Sequence, residues 1–188
     1  HGAVPSSGAT PVSVGNDTIG PMARRADDVA RIFAVMAGYD ASDPHSIDHD
    51  FGNFLPRLHD GVAGMRIGIP RNFFFDGIDA DIDAAVRKAA SEFEALGAEL
   101  VEVDLPGAEE TYLHASVLIY CDAALFHRQR LTNERHAFSP PIYERMSRGL
   151  DLTGVDYAAA MRFKETWMRT VANVFDDVDM ILSPTTPV

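Results

Sequence analysis

Apolar positions along the chain follow either a helical spacing or the period of two that is typical of strands. The helical spacing is clearest over residues 80–96. Apolar side chains recur there every three or four positions, as on the buried face of an amphipathic helix. Asp79 is placed to cap the first turn of this helix, and Gly97 is placed to end the last turn. Helices are also predicted over residues 26–37, 109–136, 142–148 and 156–174.

Glycine and proline are expected to mark two further helix boundaries. Gly38 follows the helix predicted over residues 26–37 and is placed to end it, because glycine is the usual C-terminal stop. Pro140 and Pro141 are expected to break the chain before the short helix over residues 142–148, because proline has no N–H to donate within a helix.

The extended spacing predicts three strands. Residues 65–69 and 99–103 alternate with a period of two, and a short apolar run at residues 180–182 predicts a third strand. The first two strands flank the helix over residues 80–96, so they are expected to pair in parallel through a strand–helix–strand crossover. Because no linker or internal repeat interrupts the chain, a single α/β unit over residues 1–188 is predicted.

Composition and net charge restrict the kinds of molecule that the chain is expected to bind. The chain is 46% hydrophobic, which is sufficient for a core, and its formal net charge is −12. Such a surface repels phosphate backbones and anionic lipid heads, so neither a nucleic-acid nor a membrane partner is expected. No apolar run approaches the roughly 18 residues of a membrane span. The single cysteine, Cys121, cannot form an internal disulfide and favours a reducing, cytoplasmic compartment.

Residues capable of catalysis do not form a recognisable set. The chain has no phosphate-binding glycine loop, no Gly-x-Ser-x-Gly turn and only two lysines, Lys88 and Lys164. Lys88 is expected on the solvated side of its helix. Lys164 projects into the apolar stripe of the helix over residues 156–174, so we expect it to be at least half-buried and paired with an acid. His45 and His49 lie on a predicted loop, where their spacing does not define a shared metal-binding face.

The segment Asn-Asp-Thr-Ile-Gly-Pro-Met-Ala-Arg at residues 16–24, followed by an amphipathic helix, resembles the amidase signature family. In that family a Ser-x-Asp-Thr-x-Gly-Pro-Met-x-Arg segment lies shortly after the catalytic serine-rich stretch. Five more segments resemble family motifs and occur in the same order, at residues 2–5, 40–44, 65–72, 97–103 and 179–187.

The resemblance implies an α/β/α fold around a mixed, largely parallel sheet flanked by helices. It also implies hydrolysis of carboxylic amides, at C–N bonds other than peptide bonds, by a Ser–cis-Ser–Lys triad without metal or cofactor. The family's lysine and serines precede the segment that Gly2 begins, and Ser6 and Ser7 follow it. We therefore expect a later portion of an amidase, inactive alone and with no catalytic residue of its own. The full-length parent would take a small-molecule amide and could form a homo-oligomer.

Two residues are predicted to bind substrate. In the glutamine-using branch of the family, the glutamine-hydrolysing subunits of tRNA amidotransferases, an arginine shortly before a glycine binds the substrate carboxylate, and Arg145 has similar placement. Thr185 is expected to line the acyl pocket by its position in the last motif. Asp122-Ala123 stands where that branch has Glu-Ala, so a general amidase fits better.

Three other readings stay open at this point. The chain could be a degenerate amidase-like module that binds a partner, or part of the glutamine-hydrolysing subunit of a tRNA amidotransferase. A small-molecule-binding α/β domain with its site at the strand ends is a more remote alternative. Sequence upstream of residue 1 in the parent gene, with or without a lysine and a Gly-Gly-Ser-rich run, would distinguish the enzyme from the degenerate module.

Overall fold

Five α-helices and three β-strands form the regular structure of the chain, which a computed structural model describes over residues 1–188. The elements, in chain order, are α1 (Ala26–Met36), β1 (Arg66–Pro70), α2 (Ala80–Ala95), β2 (Glu99–Val103), α3 (Thr111–Asn133), α4 (Pro140–Ser147), α5 (Gly154–Val174) and β3 (Met180–Ile181). The predicted helices and strands are therefore confirmed in kind and order, as is the mixed α/β class with a parallel sheet. None of the helices combines the length and apolar character needed to cross a membrane.

The chain divides into two compact units. Unit 1 comprises His1–Asp60 and Ser116–Tyr157 and contains α1, α4 and most of α3. Unit 2 comprises Gly61–Ala115 and Ala158–Val188 and contains the whole sheet, α2 and most of α5. The single α/β unit expected from the sequence stays a prediction.

The sheet of unit 2 has three parallel strands in the order β2-β1-β3. Its central residue is Ile67, which pairs with Leu100 on one side and Met180 on the other and is fully buried. The next residue, Gly68, is closely packed: a Cβ there would lie 3.2 Å from the side chain of Val103, which would have to shift by a few tenths of an ångström. Close packing over the middle strand thus explains why a glycine interrupts an otherwise apolar strand.

Helix α2 connects β1 to β2 and has the boundaries that the sequence predicts. The Asp79 side chain caps it by accepting a hydrogen bond of 2.8 Å from the backbone N–H of Asp81. Gly97 ends it in the left-handed region at φ +95°, where a residue with a Cβ would be strained. The parallel pairing of β1 with β2 confirms the predicted strand–helix–strand unit.

Two helix boundaries form differently from the prediction. Pro140 and Pro141 do not break the chain before α4; they occupy its first turn. Proline is tolerated there because N–H groups of the first turn have no partner within the helix. Helix α1 ends at Ala37 in an extended conformation, and Gly38 does not adopt a positive φ. Its N–H instead donates 3.0 Å to the carbonyl of Ala3, which joins the helix end to the N-terminal loop.

The buried positions of unit 1 come from α3 and from the loops around α1. Helix α3 buries Leu118, Ala123, Ala124, His127 and Leu131. Two polar loop residues, Ser13 and Asp43, are buried as well, with 1% and 6% of their surface exposed. Most buried polar side chains are hydrogen-bonded, and both of these residues are, whereas Nδ1 of the buried His127 has no partner.

Candidate functional site

A cavity of about 410 Å³ opens between the N-terminal loop and the loop after α1, and we call it the loop cavity. Its size lies within the range of small-molecule pockets. Hydroxyl and carboxylate groups share its lining with apolar side chains. The residues that line it are Ser6, Ser7, Gly8, Ala9, Thr10, Pro11, Val12, Val14, Asp17, Thr18, Ile19, Ser42, Asp43 and Pro44.

Asp43 is the buried carboxylate of this cavity. It accepts hydrogen bonds from the backbone N–H of Ser6 at 2.6 Å and from the backbone N–H of His45 at 2.9 Å. The Ser6 hydroxyl donates a third bond, at 2.9 Å. These donors, led by the two backbone N–H groups, lower the pKa of Asp43 because they favour the ionised form. Asp43 therefore joins the two loops and keeps a negative charge at the cavity wall.

A second carboxylate organises the rim. Asp40 accepts bonds from the Ser42 hydroxyl at 2.7 Å and the Ser42 N–H at 2.8 Å, and both lower the pKa of Asp40. The hydroxyls of Ser42 and Ser7 lie 3.1 Å apart, within hydrogen-bond distance. Asp40 thus fixes the hydroxyl of Ser42, which in turn contacts the hydroxyl of Ser7 at the rim of the cavity.

A third polar centre of unit 1 is Asp122 on α3, which contacts the N-terminal loop through Ser13. The Ser13 hydroxyl donates to Asp122 Oδ2 at 2.6 Å, and the Tyr157 hydroxyl donates to Oδ1 at 3.3 Å. The pKa of Tyr157 is raised, first by burial and then by the negative charge of Asp122. The pKa of Cys121 is raised by burial and by Asp122 and Asp156, so this thiol stays protonated near neutral pH.

Two serine hydroxyls of unit 1 therefore donate hydrogen bonds to carboxylates. Ser6 donates to Asp43, and Ser13 donates to Asp122. A carboxylate whose pKa is lowered is a weak base towards an alcohol, so the Asp43 contact positions Ser6 without activating it. Both lysines belong to unit 2. Lys88 is largely solvated, with its ammonium 3.6 Å from Glu92, and Lys164 is half-buried, as predicted; its pairing with an acid stays a prediction.

A cavity of about 570 Å³ in unit 2 is lined in part by Arg71, Glu102 and Asp104, at the carboxyl ends of β1 and β2. Arg71 Nε donates to Asp104 Oδ1 at 2.9 Å, and Arg71 also lies 3.8 Å from Glu102. The ion pair lowers the pKa of Asp104 and raises that of Arg71. The arginine that follows β1 is therefore already engaged by carboxylates.

The two substrate-binding residues predicted from the sequence lie in different units. Arg145, in unit 1, is exposed on α4 and forms no ion pair; the neighbouring Glu144 binds Arg148 at 3.1 Å. Thr185, in unit 2, is exposed after the buried Pro184. Arg145 does not line the loop cavity. No group of three His, Cys, Asp or Glu side chains is placed to hold a metal ion.

The sequence assigns no role to the residues that organise the site. Asp43 belongs to a segment that resembles a family motif, and Asp122 stands where one branch of the family has glutamate. Nothing in the sequence connects Asp43 to Ser6 across 37 positions or Asp122 to Ser13 across 109. Ser13 has no distinguishing neighbour pattern at all. A serine and an aspartate far apart in the chain carry no periodic signal, so only the folded structure identifies the pair.

Comparisons with known proteins place these features in a family. An amidase of Pseudomonas putida is 34% identical over 187 residues, and a glutamyl-tRNA(Gln) amidotransferase subunit of Trichlorobacter lovleyi is 30% identical over 211. Each match covers the whole of this chain but only 40% and 44% of those proteins. A solved structure described as a vestigial protein complex, which reveals the origins of an s-triazine catabolic enzyme, superposes with a TM-score of 0.90.

That structure is 29% identical and matches all of this chain and 40% of its own. The agreement extends through both units, since the matched region includes the loops around Asp43 as well as the sheet. A profile of the Amidase family also matches residues 1–188 without a gap at either end. A chain that matches its family over every residue, in sequence and in fold, belongs to that family: this protein is a member of the amidase family.

Proposed function

We propose that the protein to which this chain belongs hydrolyses carboxylic amides through a serine nucleophile. The observation that carries the proposal is the match to the Amidase family over residues 1–188, supported by the 34% identity to the Pseudomonas putida amidase. Acyl transfer needs an activated hydroxyl, a base within hydrogen-bond reach and donors for the oxyanion. The protein as a whole would supply these groups for a small amide substrate, without a metal or cofactor.

The chain spans about two fifths of the length of the relatives it matches. We therefore propose that the nucleophile and its base lie in the remainder of the parent protein, and that these residues contribute a wall of the substrate site. The loop cavity suits that role, because Asp43 and Asp40 hold its hydroxyl groups in fixed positions. Alone, the 188 residues would be inactive.

Arg145 and Thr185 are proposed to contact substrate in the complete enzyme. Arg145 supports the proposal by carrying no ion pair, so its guanidinium is available to a carboxylate, which it can bind with two parallel hydrogen bonds. Thr185 is proposed to face the acyl group, supported by its exposed position after Pro184. Together they would favour amides that carry an acidic group.

We propose that the parent protein is cytoplasmic and associates with further subunits. The single cysteine and the net charge of −12 support a cytoplasmic protein. The relative described as part of a protein complex supports association with further subunits, either copies of the same chain or a different one. A homo-oligomer would be detected by light scattering of the full-length parent.

The glutamine-hydrolysing subunit of a tRNA amidotransferase is the second candidate. The 30% identity to the Trichlorobacter lovleyi protein over the whole of this chain favours it. Asp122 argues against glutamine as substrate, because it stands where the branch has glutamate and its oxygens already accept bonds from Ser13 and Tyr157. Ammonia release from glutamine by the parent, dependent on partner subunits, would support this candidate over a general amidase.

The experiment is an assay of the full-length parent against aliphatic, aromatic and acidic amides, with carboxylic acid and ammonia both measured. We expect stoichiometric release of the two products and labelling by a fluorophosphonate probe. The matched control is the parent with its upstream serine-rich segment mutated, which should lose both signals. A parent that folds but neither turns over amides nor is labelled would contradict the proposal and support the degenerate binding module.

A further inference from the structure

The segment from residue 126 to residue 149 is basic although the chain as a whole is acidic. It carries five arginines and two glutamates, in a chain of net charge −12. Two of the arginines are neutralised locally: Arg130 lies 3.4 Å from Glu134, and Arg148 lies 3.1 Å from Glu144. The other three, Arg128, Arg135 and Arg145, form no ion pair. Unpaired guanidinium groups concentrated on one segment attract anions.

One of these arginines stands beside a cavity of about 550 Å³, which we call the Arg135 cavity. The residues lining it are Thr132, Asn133, Arg135, His136, Phe138, Pro140 and Tyr143. Basic, amide and hydroxyl groups share this lining with two aromatic rings and a proline. A ligand bound there would meet both charge and apolar surface. The cavity shares no lining residue with the loop cavity.

Arg135 is held in a defined orientation. Its guanidinium carbon lies 4.8 Å from the centre of the Tyr143 ring, a cation–π contact. Arg135 forms no ion pair, so its N–H groups remain available, and their fork matches the two oxygens of a carboxylate. The stacking partner reduces the side-chain entropy that binding would otherwise cost.

A second aromatic residue of the lining, Phe138, also has ring contacts. Phe138 is contacted by the guanidinium of Arg130 at 5.3 Å and packs edge-on against the ring of His127 at 5.9 Å. His127 is buried, with 8% of its surface exposed, so the ring on which Phe138 rests does not move freely. A planar apolar group would therefore find a preformed surface.

We propose that the Arg135 cavity binds a small organic carboxylate with a planar apolar body. The carboxylate accepts hydrogen bonds from the Arg135 guanidinium, and the apolar body packs against Phe138 and Pro140. Glu134 and Glu144 each adjoin a lining residue in the sequence, but Glu134 is paired with Arg130 and Glu144 with Arg148, so neither is paired with Arg135. The proposal concerns binding alone and does not depend on the proposed amidase activity.

The test is a titration of the 188-residue chain with benzoate, followed by amide chemical shifts in nuclear magnetic resonance and by calorimetry. Benzamide is the matched neutral ligand. We expect benzoate to shift the signals of residues 132–143 and to bind at least about tenfold more tightly than benzamide. Raising the salt concentration should weaken benzoate binding and leave benzamide unchanged.

Two variants separate the site from a general charge effect. Arg135→Gln should weaken benzoate binding about tenfold or more. Arg87→Gln is the control, because Arg87 also lies over an aromatic ring, 5.1 Å from the centre of Phe75, but belongs to unit 2. It should leave binding unchanged. Arg135→Lys tests whether the two-pronged geometry of the guanidinium matters. It keeps the charge, and we expect its affinity for benzoate to lie between those of the parent chain and Arg135→Gln.

Four results would overturn the proposal. They are no detectable benzoate binding, equal binding of benzoate and benzamide, signal shifts that fall outside residues 132–143, and an Arg135→Gln variant that binds as the parent chain does. Circular dichroism of each variant establishes that it is folded. If Arg135→Gln does not fold, Tyr143→Leu provides the alternative test, since it removes the ring that orients Arg135 while leaving the charge.

Discussion

The hydroxyl of Ser13 donates a hydrogen bond of 2.6 Å to Oδ2 of Asp122, a residue 109 positions further along the chain. Ser13 is almost fully buried, and its oxygen also accepts a 2.6 Å bond from the side-chain amide of Asn16. Asp122 accepts a second bond from Tyr157. The pair thus connects the N-terminal loop to α3 within unit 1 and supports the position of the loop cavity.

Replacing Ser13 with alanine should destabilise the chain by about 1–3 kcal/mol, because it removes a buried hydroxyl that donates to a carboxylate and accepts a bond from Asn16. Chemical unfolding followed by circular dichroism measures the change. Ser7→Ala is the control: its exposed hydroxyl meets the exposed hydroxyl of Ser42, so the effect should be within about 0.5 kcal/mol. Equal stabilities of the two variants would show that the Ser13 contact contributes nothing to folding.

Gly149 and Gly154 form a matched pair for steric tolerance. A Cβ at Gly149 would overlap the backbone carbonyl of Tyr120 and approach the Cβ of Ala124 to 2.7 Å, whereas a Cβ at Gly154 would meet no atom within 4 Å. Gly149→Ala should cost about 3 kcal/mol or more, because backbone must move to relieve the overlap. Gly154→Ala lies in the first turn of α5 and should be neutral or stabilising by about 0.5–1 kcal/mol.

Thermal unfolding of the two glycine variants, compared with the parent chain, decides this prediction. Gly149 does not have a positive φ, so the loss would come from contact with Tyr120 and not from backbone strain. A Gly149→Ala chain with unchanged melting temperature would mean that α3 and the turn after α4 are less closely packed than the structure has them.

Asp43 should make stability depend on pH in the acid range. Its pKa is lowered from the ordinary 3.8 by hydrogen bonds, so its contribution is complete above pH 3.8 and is lost as the pH falls through the lowered value. Asp43→Asn should therefore be less stable than the parent at pH 7, with the difference shrinking below pH 3.8. Asp48→Asn, an exposed change in the same loop, is the control and should show no such convergence. Denaturant unfolding at several pH values measures both.

The isolated 188 residues should hydrolyse no amide and should not react with a fluorophosphonate probe. The reason is chemical: Ser6 donates to a carboxylate of lowered pKa, which is a weak base, and Lys88 is solvated beside Glu92. Gel fluorescence and an ammonia assay test this, with the full-length parent as positive control. Turnover above background that is lost in Ser6→Ala or Ser13→Ala would contradict it.

Arg145→Ala in the full-length parent should raise KM for an acidic amide more than it lowers kcat, because a contact made equally in the ground and transition states affects binding alone. A neutral amide of the same size should be unaffected. Arg31→Ala, which removes another exposed arginine of unit 1, is the matched variant and should change neither constant. An unchanged KM for acidic amides would assign Arg145 to the solvated surface.

Local periodicity determined most of the secondary structure. The boundaries of α2 follow from Asp79 and Gly97, which act through neighbouring backbone groups only. The paired strands around α2 follow from their alternation and from the length of the connection. The prediction failed at Pro140 and Gly38 for different reasons. Proline is accepted in a first turn by a local rule, whereas Gly38 depends on its surroundings because it bonds to Ala3.

The sequence by itself thus determined the order of helices and strands, and its motifs indicated the family, because both reside in short stretches of neighbouring residues. The tertiary structure alone decided that Ser13 meets Asp122, that Ser6 meets Asp43, and that Arg135 faces Tyr143 beside a cavity. These contacts depend on the courses of the loops between the elements. Loops have no repeating sequence pattern, so their courses cannot be predicted from hydrophobic periodicity.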